Sequence, residues 1–132
     1  MAVGTSQTLN HNWLNVIRGG GAGTSYTAPA AVYVQLHTAN PGSVGTTSVS
    51  SVTTRQAATF AAASGGSIAL SNTPSWTSWA GTNGEVVTHI SVWDATTSGN
   101  FLWSAALTAS KTVNTRDTLT LNSASLTITN AY

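Results

Sequence analysis

A chain of 132 residues with 41% apolar content can fill one core but not two, so a single globular unit is expected. Only Arg18, Arg55, Lys111, Arg116, Glu85, Asp94 and Asp117 carry formal charge, for a net charge of +1, and the four basic residues are too scattered to displace counterions from phosphates. Nucleic acid is thereby excluded as a partner, and a charged fraction of 5%, against roughly 25% in ordinary soluble domains, leaves the surface to hydroxyls and amides.

Five tryptophans and regular β-branched runs separate the chain from a disordered polar tract. Cysteine is absent, so disulfides and thiolate metal sites contribute nothing. Met1-Ala2-Val3 begins no signal peptide, and the longest apolar runs fall far short of a bilayer span. No membrane partner and assembly in a cytoplasm are expected.

From Thr5 to Arg18 the apolar residues Leu9, Trp13, Val16 and Ile17 fall on one helical face. Thr5 or Ser6 suits the start of this helix, Arg18 suits the negative end of its dipole, and Gly19-Gly20-Gly21 stops it. Residues 1–21 are therefore read as a helix with a glycine hinge, and residues 22–132 as a β domain. From Ala30 the period changes to two, with Val32, Val34 and Leu36 on one face of a strand and Tyr33, Gln35 and His37 on the other. Asn40-Pro41-Gly42 turns the chain, and the uncharged stretch from Gly42 to Thr54 reads as a long exposed loop or a weak edge strand.

Further strands are predicted at Thr54 to Ala61, Ser67 to Ser71, Val86 to Trp93, Asn100 to Thr108 and Thr118 to Thr129. In the last, Leu119 and Leu121 have odd parity but Leu126 and Ile128 even, which calls for a turn or bulge near Asn122 to Ser125. The sum is an all-β fold, an antiparallel sandwich or jelly roll of about seven or eight strands after one short N-terminal α-helix. Its core is expected to hold Val34, Leu36, Ile90, Val92, Leu119 and one of the adjacent pair Leu102 and Trp103, since strand parity admits only one of the two.

Catalytic chemistry has little to work with. Asp94 and Asp117 sit in turn signals and Glu85 follows a glycine, so all three carboxylates have ordinary structural explanations. His11, His37 and His89 lie on different predicted elements without the close pairs of common zinc sites, and no catalytic, cofactor-binding or metal residue is assigned. The Gly19 to Gly23 run lacks the Lys-Ser/Thr of a phosphate loop, and no Gly-x-Ser-x-Gly elbow occurs. Trp93 and Trp103 lie inside alternating strands and read as core. Trp76 and Trp79 lie in the polar Pro74 to Gly84 stretch, where packing or contact with another subunit is favoured over contact with a glycan.

Several fragments in fixed order resemble one family: Ser25-Tyr26-Thr27-Ala28-Pro29-Ala30 after the glycines, Val34-Gln35-Leu36-His37-Thr38-Ala39-Asn40-Pro41-Gly42, and Arg55-Gln56-Ala57. The pattern continues through Val87-Thr88-His89, Trp93-Asp94-Ala95, Gly99-Asn100-Phe101-Leu102-Trp103, Lys111-Thr112-Val113 and Asp117-Thr118-Leu119. Over nearly its whole length the chain is similar to small tail-fibre or minor tail proteins of actinobacterial phages. It departs from them at Arg116, where a Gly usually precedes the Asp, and in the Ser/Thr-rich 45–54 segment. The resemblance implies a β-sandwich building block of a virion, without cofactor or active site, assembled in the host cytoplasm.

The function expected on that basis is a tail-associated fibre subunit that forms a homo-oligomer and contacts other virion proteins. A capsid head-fibre or decoration protein is the alternative, and a module binding host-surface carbohydrate through Trp76 and Trp79 is a second. An envelope-degrading enzyme is disfavoured by the shortage of carboxylates. The helix face of Leu9, Trp13, Val16 and Ile17 is expected to be the oligomer or docking surface, because an isolated helix of this length needs a packing partner.

Overall fold

The computed structural model describes residues 3–18 and 26–128. The described residues form one helix, α1 (Gln7–Ile17), and eight strands: β1 (Val32–His37), β2 (Gln56–Ala58), β3 (Ser67–Ala69), β4 (Ser75–Trp76), β5 (Glu85–Trp93), β6 (Phe101–Val113), β7 (Leu119–Thr120) and β8 (Ser125–Thr127). A four-stranded antiparallel sheet in the order β2-β1-β5-β6 forms one layer, and the two-stranded sheets β3-β8 and β4-β7 form the other. The protein is an all-β sandwich with one short N-terminal helix.

Alternation builds the core. The register sets Val34 against Val92 and Leu36 against Ile90, so all four point to one face, and each is 2% exposed or less. Trp103, opposite Val92 on β6, continues that face and meets Phe60 edge-on at 5.8 Å between ring centroids. Trp76, Trp79 and Leu121 complete the buried cluster, with Leu70, Leu119 and Leu126 packed against it. Each such side chain contributes about 1.5 to 3 kcal/mol by transfer from water.

The change of parity expected in the last segment takes the form of two strands, β7 and β8, with 121–124 between them. Just after β2 the chain changes layers: Ala57 and Ala58 pair with β1, whereas Thr59 and Ala61 bond to Ser71 and Ala69. One continuous segment thus ties the two layers together.

Three expectations are refined or corrected. The 42–54 segment combines the two readings given for it: Val44 is 62% exposed, whereas Val49 bridges His37 and Ser50 N–H bonds to Leu36 O at 3.0 Å as a short edge strand would, with Gly45 and Ser50 buried. The Thr47 carbonyl meets the His37 ring and the Arg55 side chain meets Gln35, so these two polar residues are buried as well as Val34 and Leu36. The pair Leu102 and Trp103 does not split between core and solvent, because both are buried. A register slip between Val92 and Trp93 sets Leu102 outside the pairing, and it lines one wall with Leu9 of α1. Finally, Pro74 to Gly84 includes β4, which pairs with β7 through Ser75 and Thr120 and through Trp76 and Leu119.

The N-terminal segment is joined to the sheet. Ser6 N–H bonds to Leu102 O at 2.6 Å and Ser104 N–H to Gly4 O at 2.8 Å, so residues 4–6 extend the sheet beyond β6. Ser6 then caps α1, its Oγ accepting the Leu9 N–H at 3.1 Å. The expected hinge at Gly19 to Gly23 and the boundary between residues 21 and 22 lie outside the described residues.

Candidate functional site

The closest approach to a catalytic constellation is on the polar face of the main sheet. His37 Nδ1 lies 2.8 Å from the Thr47 carbonyl, which can only accept, so this nitrogen carries the proton. Nε2 is then the acceptor for the Ser91 hydroxyl at 2.7 Å, and Ser91 Oγ in turn accepts the indole N–H of Trp93 at 2.7 Å. The pair has serine-histidine geometry but lacks what a nucleophile requires. A backbone carbonyl stands where an orienting carboxylate would be, and both His37 and Ser91 are 0% exposed. No substrate reaches the Ser91 hydroxyl, and burial lowers the His37 pKa. The network rivets the 38–50 segment to β5.

The charged groups are engaged similarly. Glu85 accepts from the Ser50 hydroxyl and from Ser51 N–H at 3.1 Å; burial would raise its pKa, but these hydrogen bonds outweigh burial and hold it below the usual carboxylate range. Arg55 lies 3.9 Å above the Trp93 ring and donates to Gln35 Oε1, Ala95 O and Ser98 O. Asp94 accepts from Asn100 N–H at 2.6 Å and from its side-chain amide at 2.7 Å, closing the 94–100 turn, while Asp117 accepts from Asn114 N–H at 2.9 Å. Both aspartates play the turn roles read for them.

His89 pairs in register with His37 on the neighbouring strand and bonds to Thr88 Oγ1 through Nδ1, whereas His11 lies on α1. Among the described residues no three His, Asp or Glu side chains gather where they could hold a metal.

Trp76 and Trp79, candidates for a subunit or glycan contact, are 3% and 1% exposed. Trp76 donates its indole N–H to Thr54 O at 2.8 Å and Trp79 to Thr82 O at 3.1 Å. Their polar neighbours lie along backbone edges while the rings turn into the core, so neither ring has a face for a sugar. The pairing partner of β4 is Leu119, remote in sequence, and no local pattern announces it.

The helix face is divided. Leu9 is 6% exposed and belongs to the core, and Trp13 is half-buried against it. Val16 and Ile17, both about one turn beyond Trp13, are 57% and 78% exposed, and Leu14 is 60% exposed. Near the base of this end, Trp13, Asn10, Leu126 and Ile128 line a shallow opening of about 330 Å³.

A family model described as Podophage GP4 fiber I protein gp80 matches residues 4–129. The chain belongs to this family of phage fibre proteins. As a member of the fibre I family it is a structural component of a virion, in line with the resemblance read from its sequence. The match runs from the segment beside β6 past the end of β8, so helix and sandwich are both parts of the fibre I unit. No curated protein matches the chain. No helix among the described residues is long and apolar enough to cross a membrane.

Proposed function

We propose that this fibre I protein is a tail-associated subunit that assembles as a homo-oligomer through the exposed end of α1, docks onto other virion proteins, and performs no chemistry of its own. The observation carrying this reading is the exposure of Leu14, Val16 and Ile17, with Ile17 between the other two around the axis, at the end of a helix whose base is anchored in the core. Burying three such side chains contributes about 1.5 to 3 kcal/mol each, enough to matter once association entropy is met. The tail assignment follows from the similarity of residues 34–42 and 99–103 to tail-fibre and minor tail proteins. Absence of turnover is supported by the sealed Ser91 and His37 pair.

Sedimentation of the purified chain over a range of concentrations tests assembly, with Ile17→Asp expected to shift it to the monomer. Fitting this structure into a virion map tests location; density at the capsid would replace the tail reading with a head fibre. Robust hydrolysis of peptidoglycan, polysaccharide or ester substrates, lost on substitution of Asp94, Asp117 or His89, would overturn the non-enzymatic reading.

A further inference from the structure

An open groove of about 880 Å³ lies between the first turn of α1, the 42–46 loop and the start of β6. Its base holds the half-buried ring of Phe101, tilted against Trp93 at 5.6 Å between centroids, and the side chain of Ser104. Ser104 is 5% exposed, and its hydroxyl has no hydrogen-bond partner among the described residues. Gln7 and Asn10 on α1 line one wall, and Asn100, whose backbone N–H and side-chain amide donate to Asp94, lines another. Val44, 62% exposed, forms an apolar lip.

Among the described residues none that lines this groove is charged. A phosphate, carboxylate or cation would lose hydration there without gaining a counter-charge. A peptide would normally be held by a free strand edge, but here the edge of β6 is occupied by residues 4–6, through Ser6 N–H to Leu102 O and Ser104 N–H to Gly4 O. What remains is a half-buried aromatic ring among neutral donors and acceptors, in a volume typical of small-molecule sites. That combination matches a ring with C–H groups on one face and hydroxyls at its edge, because the negative face of an aromatic ring attracts polarised C–H.

We propose that this groove is a binding site for a neutral saccharide, with a sugar ring against Phe101 and its hydroxyls on Ser104, Asn10 and Asn100. The site shares no residue with Trp76 and Trp79, and it rests on groove chemistry rather than on the assembly reading.

The full chain, labelled with nitrogen-15, is titrated with glucose, galactose, mannose, rhamnose, N-acetylglucosamine and chitobiose up to tens of millimolar. The expected result is saturable shifts of the Asn10, Asn100 and Ser104 amides with at least one sugar. Asn10→Ala lies on an exposed helical surface and keeps the fold, and Ser104→Ala removes only the hydroxyl. Each is expected to weaken binding about fivefold, the usual worth of one hydrogen bond, while Lys111→Ala changes nothing. Shifts confined to other regions, no saturable shift with any of these sugars, or affinity unchanged in the Asn10→Ala, Ser104→Ala double variant would overturn the proposal. So would groove amides that move with protein concentration alone, which would assign the groove to a second copy of the chain.

Discussion

The Ser91 hydroxyl donates to His37 Nε2 while accepting the Trp93 indole N–H, each at 2.7 Å, so one buried oxygen satisfies two ring nitrogens on adjacent strands. Ser91→Ala leaves both nitrogens without a partner inside the sheet. The expected loss is about 1 to 3 kcal/mol of unfolding free energy, measured by urea denaturation, because each buried polar group then bears its full desolvation cost. A variant as stable as the parent would mean that water or a neighbouring group takes over both bonds.

The same network makes stability depend on pH. Burial lowers the His37 pKa, the Thr47 carbonyl opposes this, and His89 and Arg55 add to the lowering. The unfolded chain therefore binds more protons than the folded one once pH falls below about 6.5. Stability is expected to be level above that value and to decline as pH falls from it towards the lowered folded-state pKa, below which His37 adds no further loss. Glu85, also lowered, adds a separate loss at more acidic pH, as its carboxylate is protonated. Denaturation midpoints for the parent and His37→Gln, compared between neutral pH and pH about 5, check the assignment: the variant should be flatter in this window.

Trp79 fills the core rather than a binding surface. Trp79→Ala is expected to cost about 3 to 5 kcal/mol, the usual range for deleting a buried aromatic ring, read from chemical denaturation. A change near zero would place the ring at the surface and reopen the glycan or subunit role expected from its polar neighbours.

The two halves of α1 should respond oppositely to substitution. Leu9→Ala is expected to lower stability by about 2 to 5 kcal/mol without a direct effect on association. Ile17→Asp should leave the denaturation midpoint nearly unchanged and reduce association in sedimentation velocity. Removing residues 2–18 is expected to unfold or strongly destabilise the β domain. That deletion takes Leu9 from the core and residues 4–6 from the edge of β6.

Local periodicity carried much of this fold. The alternation in 32–37 and 86–93 set which side chains face the core, the spacing of Leu9 and Trp13 marked one helix face, and the parity change between Leu121 and Leu126 marked the break between β7 and β8. Near-absence of charge and the turn roles of Asp94 and Asp117 were equally readable, since they depend on residues close together in the chain. Partnerships between distant segments were not. Ser/Thr-rich composition looks the same whether a residue meets water or, as at Thr47 and Ser50, bonds to buried groups of the main sheet. Trp76 and Trp79 sit among turn-forming residues whose pairing with β7 lies more than thirty residues away. The division of α1 into an anchored base and an exposed end depends on where β6 stops supporting it. Only packing in three dimensions decides these matters, because burial is a property of the surface opposite a residue and not of its neighbours in sequence.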